Sequence, residues 1–216
     1  MTKQVNPAPR LDNQDPDLFG QTPSQTVGPY FHYGLPWKGC ADLVGDTDMG
    51  ARADLFPPDH YVLGMPLVRT DVTGDLITIE GIVLDGAGQP VPDALIEIWQ
   101  ANAQGRYFDG VDNNGFIGFG RASTGEDGQY RFRTICPGQI EAGQAPHIAV
   151  GVLGRGLIKR LSTRLYFADH AANAVDPILA LVPAERRDTL IAREVGAAWR
   201  FDIVLQGERE TVFFDI

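Results

Sequence analysis

Apolar and polar positions alternate in short runs along the second half of the chain, and the period is two. Ile77 to Leu84 is rich in β-branched and aliphatic residues. Ala94 to Gln100 sets Ala94, Ile96 and Ile98 against Leu95, Glu97 and Trp99, and Gln129 to Ile135 sets Tyr130, Phe132 and Thr134 against Arg131 and Arg133. Neighbours that point to opposite sides in turn mark a strand with one buried face. His147 to Leu153, Arg164 to Ala168, Arg200 to Leu205 and Glu210 to Asp215 supply further strands, the last with Val212, Phe214 and Ile216 facing together. The glycines of Asp85-Gly86-Ala87-Gly88 tolerate positive φ, so that stretch reads as a hairpin turn joining the first two runs, and Gly125 to Gly128 makes another turn.

Between Asp176 and Val195 the pattern changes. Asp176 suits an N-cap, Pro177 the first helical position, and Leu190, Ile191 and Val195 follow at helical spacing, so one or two short helices are predicted there. Many short strands, Gly/Pro turns and little helix predict a mainly β protein: an antiparallel β-sandwich with long loops, an N-terminal arm and one or two short helices. Residues 1–24, rich in Pro, Asn, Gln and Asp, form the arm, and residues 25–216 one domain. The aromatics Tyr30, Phe31, Tyr33 and Trp37 sit in a Gly/Pro-punctuated loop, which suits docking on a partner or plugging one end of the sandwich.

Charge narrows the partners. The 216 residues carry 28 acidic and 18 basic side chains, a net charge of -10, which repels polyphosphate and argues against nucleic-acid binding. Small-molecule chemistry and protein partners both stay open. Cys40 and Cys136 lie far apart without ligand spacing, so neither a disulfide scaffold nor a structural zinc site is expected. No run approaches the ~20 apolar residues of a membrane span, and no signal-peptide core opens the sequence, so a soluble cytoplasmic protein is expected.

Candidate chemistry is sparse. There is no GxSxG, and the glycine-rich Asp85 turn joins two strands instead of opening a helix, so it lacks the context of a phosphate cradle. His32 and His170 fall on loops with no ligand partner nearby, and Lys159 and Arg160 read as surface residues. His147 reads either as a hydrogen-bonded core histidine or as one ligand of an incomplete metal site. Arg155 stands between two glycines, which let the backbone turn sharply and the guanidinium project; its planar fork suits a carboxylate.

The stretch RTICPGQI followed by APHIAV resembles the intradiol ring-cleavage dioxygenases, in which Pro-Gly-x-Tyr follows such a strand, His-x-His occupies the next one, and a further ligand tyrosine lies upstream. Here Ile140 stands where that tyrosine belongs and Ala149 where the second histidine belongs. Tyr107 of the Gly-Arg-Tyr motif matches a tyrosine that is not a ligand. The stretches TPSQTVGPYFHYG, RLYFADH and GERETVFFDI extend the resemblance from about Thr22 to Ile216.

What the resemblance implies is an iron-free chain, with no catalytic and no metal-ligating residue of its own, that assembles with an iron-bearing beta subunit. The Fe(III) would be bound by that partner. The substrates implied are 3,4-dihydroxybenzoate and O2, cleaved to 3-carboxy-cis,cis-muconate in the beta-ketoadipate route of aromatic catabolism. Thr26, Gly28, Pro29 and Arg155 match residues that face the shared pocket: Thr26 could donate a hydrogen bond, Gly28 and Pro29 shape the backbone against a flat ring, and Arg155 supplies positive charge. Two other readings stand beside it. One is a self-sufficient dioxygenase using His147 with Tyr107 or Tyr130; the other is a noncatalytic transthyretin-like β-sandwich binding module, suggested by the Gly81 to Ala94 stretch.

Overall fold

The computed structural model describes residues 25–28, 31, 40–51, 54, 72–108 and 116–215. The expected arm over residues 1–24, and Pro29, Tyr30, His32, Tyr33, Trp37 and Ile216, lie outside the described residues. Nine strands are described: β1 (Leu76–Leu84), β2 (Leu95–Gln100), β3 (Phe119–Ser123), β4 (Gln129–Ile135), β5 (His147–Leu153), β6 (Leu161–Phe167), β7 (Ile191–Val195), β8 (Ala198–Arg200) and β9 (Ile203–Val204). Their order is β3-β2-β5-β6-β7-β8-β1-β4, with β9 on β1. The path folds over itself into two leaves. Ile96, Ile98, Ile148, Val150, Val152 and Leu165 from β2, β5 and β6 meet Ile79, Val83, Tyr130 and Phe132 from β1 and β4 in one core. Each such buried aliphatic or aromatic side chain contributes roughly 1.5–3 kcal/mol relative to exposure. The mainly β architecture therefore follows from the period-two pattern.

Four features depart from the pattern. The pairs β1–β8, β1–β9 and β6–β7 are parallel, so the sandwich is mixed rather than purely antiparallel. Secondly, β1 and β2 do not pair with each other. The Asp85 turn closes only on Pro90 and Val91, through Asp85 N–H to Gln89 O at 2.9 Å and Val91 N–H to Val83 O at 2.9 Å. The chain then crosses to the other leaf at Asp93, which holds a left-handed φ of 58°. An alternating pattern fixes which side is buried, not which strand lies alongside.

The third departure is Ile191–Val195, a strand instead of the end of a helix. It pairs with β6 through Tyr166 and Phe167 and with β8 through Trp199 and Arg200, and those ladders outweigh the local spacing. Fourthly, 210–215 is not a strand: Phe214 makes a single bridge to Ser162, while Val212 and Phe214 pack on a second small core around Leu179, Val182 and Leu190. The strand β3 buries Gly120 and Ala122 on one face, and a Cβ on Gly120 would sit 2.5 Å from Leu43. Among the described residues the complete helical elements are α1 (Pro177–Leu181) and two 3-10 turns, Ala171–Val175 and Ala184–Leu190. As expected, Asp176 caps α1, accepting from Ile178 and Leu179 N–H, with Pro177 at the first position. Among the described residues no helix is long and apolar enough to cross a membrane.

Candidate functional site

Arg155 and Gly156 occupy the tight turn between β5 and β6. Leu157 N–H closes the turn on Gly154 O at 3.3 Å, and Gly156 adopts φ +84°, a conformation that costs a side-chain-bearing residue strain. The Arg155 side chain is 54% exposed, and its Nη2 lies 2.6 Å from Asp93 Oδ2. Thr26 comes to the same place: its Oγ1 accepts a hydrogen bond at 3.0 Å from Gly156 N–H, 130 residues away in sequence. Gly28 follows with φ +80°, and among the described residues, its chain neighbours aside, none comes within 4 Å of where a Cβ would stand. Three of the four residues singled out by the resemblance thus lie in two loops that touch. Pro29 lies outside the described residues. Asp93, which anchors Arg155, carries no sequence signal; only its unusual φ marks it.

The metal-ligand skeleton lies along the strand from that platform. His147 and Ala149 share the outer face of β5, and Ala149 is four residues from Leu153, about 13 Å at strand rise, with Arg155 beyond. His147 is 3% exposed, and its Nδ1 lies 2.9 Å from Ala145 O. A carbonyl only accepts, so Nδ1 carries the proton and Nε2 the lone pair. Burial depresses the His147 pKa; the Ala145 hydrogen bond opposes that and the Arg164 charge adds to it. Ferric iron prepared for catechol chemistry needs imidazole together with anionic oxygens. Ala149 and Ile140 supply neither. Burial raises the Tyr107 phenol, and burial pushes Tyr166 up to about 12. Tyr130 lies on β4 in the other leaf with its hydroxyl donated to Phe201 O, and burial raises it as well. Among the described residues no group of three or more His, Cys, Asp or Glu side chains could hold a metal. Ala149 and Ile140 leave the family's ligand set incomplete, and Tyr130, in the other leaf, cannot join His147 in an unorthodox one.

One buried carboxylate organises the neighbourhood. Asp176, 1% exposed, accepts from Ala145 N–H at 2.8 Å, from Ile178 and Leu179 N–H at 2.9 Å each, and from the Tyr166 hydroxyl at 3.2 Å. Burial alone would raise its pKa, but these donors hold it below the ordinary carboxylate value. It ties the loop before β5 to β6 and α1, and so fixes the stretch that carries His147. Arg160 is exposed, as read from sequence, and bridges to Glu97 Oε2 at 3.1 Å and Ser162 Oγ at 2.9 Å, lying over Gly151. Lys159 pairs with Asp215 in the open, and His170 caps the first 3-10 turn. A groove of about 380 Å³ on the other side, lined by Ile191, Arg193, Arg200, Phe201 and Arg209 among others, contains none of the singled-out residues.

Comparison with known proteins places the chain in a family. The family model described as Dioxygenase matches residues 59–207. The chain is 44% identical over 207 residues to the protocatechuate 3,4-dioxygenase alpha chain of Burkholderia cepacia, spanning 91% of this chain and 98% of that one. It is 39% identical over 178 residues to the beta chain from the same organism, spanning 73% and 76%. Among solved structures, the dioxygenase domain of a dioxygenase carbohydrate-binding fusion from Streptomyces sp. SirexAA-E superimposes with a TM-score of 0.54 at 29% identity, covering 86% of this chain and 98% of that domain. On the family match and near-full-length identity together, the chain belongs to the intradiol dioxygenase family, with protocatechuate 3,4-dioxygenase alpha chains among its near relatives.

Proposed function

We propose that this chain is the metal-free subunit of a protocatechuate 3,4-dioxygenase and completes, together with an iron-bearing beta subunit, the pocket that takes 3,4-dihydroxybenzoate and O2. The observation that carries the reading is the separation between its two halves. The Thr26–Gly156 hydrogen bond gathers a small platform beside Arg155, while the ligand skeleton around His147 lies at least about 13 Å along β5 and has lost its donors. A platform so far from its own chain's skeleton suits another subunit's reaction centre.

On this reading each residue has a limited task. Arg155 supplies a fork of donors for the ring carboxylate; on a chain of net charge -10 an anionic substrate needs such a local cation. Thr26 holds the Gly154–Gly156 turn through its Oγ1, which leaves its hydroxyl proton for a pocket group. Gly28, open on the side a Cβ would fill, admits a flat ring close to the backbone, and Pro29 stiffens the same loop. Fe(III) on the partner would supply the oxygen chemistry. The assembly would work in the cytoplasm, in aromatic catabolism.

Coexpression with a chain carrying Pro-Gly-x-Tyr and His-x-His tests the proposal. The expected result is a copurifying complex whose iron tracks the partner chain and which consumes O2 with 3,4-dihydroxybenzoate. Stoichiometric iron in this chain purified alone, or failure to copurify, would overturn it. The binding-module alternative predicts no O2 uptake from the complex.

A further inference from the structure

The groove of about 380 Å³ beside β7 and β8 lies outside the shared pocket, and its size suits a small molecule. Leu84, Ile191, Val195, Phe201 and Val204 give it apolar walls, and Val195 is 52% exposed. Three guanidiniums stand among them, those of Arg193, Arg200 and Arg209. Strand register makes two of these neighbours, because Arg193 on β7 pairs directly with Arg200 on β8. Residues paired in this way have Cβ atoms about 4.5–5.5 Å apart, and like charges placed there repel.

The carboxylates at hand relieve that repulsion only in part. Asp188 takes Arg193 through Nη2 alone, and both side chains of this pair are more exposed than buried, at 62% and 61%, so water screens it. Asp202 takes Arg200 Nε at 3.1 Å but also accepts from the Ile82 N–H at 3.1 Å. Glu80 stands next to Arg200 in the parallel register with β1, and it turns instead to Arg131 at 3.3 Å. Arg209 makes no hydrogen bond or ion pair among the described residues. A guanidinium carries five N–H donors, so three forks line one groove with most of their donors unspent. With Asp188 and Asp202 as the lining carboxylates, the groove keeps an excess of positive charge in a chain of net charge -10. Cations set among aliphatic walls suit an anion with a carbon skeleton.

We propose that this groove binds a short-chain polycarboxylate. One carboxylate bridges Arg193 and Arg200 and removes the repulsion between them, a second engages Arg209, and the carbon chain lies against Leu84, Ile191 and Val195. The step is binding alone and needs neither metal nor partner subunit. It uses none of Thr26, Gly28, Pro29 or Arg155, so its failure leaves the shared-pocket reading standing, and the reverse also holds.

The probe is propane-1,2,3-tricarboxylate. Calorimetric titration of the full chain, purified alone, is expected to show one saturable site. Arg200→Gln should weaken it about tenfold or more, and Arg209→Gln, which breaks no polar contact with the described residues, about fivefold. Lys159→Gln, which removes an exposed cation from another loop, should leave it unchanged. Butyrate, with a single carboxylate, and inorganic phosphate, with no carbon chain, should each bind at least about tenfold more weakly. If Arg200→Gln does not fold, as judged by circular dichroism, Arg209→Gln decides the outcome. No saturation below ~10 mM, unchanged affinity in Arg209→Gln or in a folded Arg200→Gln, equal affinity for butyrate or phosphate, or loss of binding in Lys159→Gln would each overturn the proposal.

Discussion

Replacing Arg155 by alanine in the coassembled enzyme removes the guanidinium that stands beside the Thr26–Gly156 contact and leaves the turn intact, because the closing hydrogen bonds are made by backbone atoms of Gly154, Gly156 and Leu157. A buried charge-assisted hydrogen bond is worth about 1.5–3 kcal/mol, and an exposed ion pair about 0.2–1 kcal/mol. At 54% exposure, with Asp93 2.6 Å away as a standing competitor, Arg155 falls between these limits. A loss of about 1.5 kcal/mol corresponds to a roughly tenfold rise in KM for 3,4-dihydroxybenzoate. Arg155→Lys keeps a point charge without the planar fork and should raise KM by about threefold. Anaerobic titration with catechol, which has no carboxylate, should give the same affinity for all three proteins. Iron content should not move. An equal loss for catechol, or an unaltered KM in Arg155→Ala, refutes the assignment.

Three further outcomes follow from the packing. Asp176→Ala strands the buried Ala145 N–H and uncaps α1, which should cost about 3 kcal/mol, or roughly 6–12 °C in Tm by calorimetry; a loss under about 1 kcal/mol would refute its role as the tie between β5, β6 and α1. Gly81→Ala places a Cβ 1.9 Å from Phe201 O, the carbonyl that also accepts from Tyr130, so the variant should lose about 3 kcal/mol or more in urea denaturation, and near-normal stability would show that the β1–β8 approach is looser than described. Burial lowers the His147 pKa from its ordinary 6.5, so the unfolded chain takes up a proton first as pH falls. The stability that His147 contributes is thus present above 6.5 and lost from there down to its folded value; His147→Gln should flatten that part of the stability–pH curve, and an unchanged slope would contradict it.

The missing ligands were legible without coordinates. Ile140 and Ala149 cannot donate to a metal in any fold, because aliphatic side chains carry no lone pair. The burial side of β2 and β4 was equally legible, since alternation is a property of each strand's own backbone. So was the Asp176–Pro177 helix start, which depends only on neighbours within a turn.

What the tertiary structure decided was everything that needs partners distant in sequence. Alternation could not say that β1 and β2 part company at Asp93, nor that Ile191–Val195 would be drawn into parallel pairing with β6, because register is chosen by the strand alongside. It could not bring Thr26 to Gly156 or set Asp93 against Arg155. Residue type sets what a side chain can do; which others it meets depends on how two leaves close over one core.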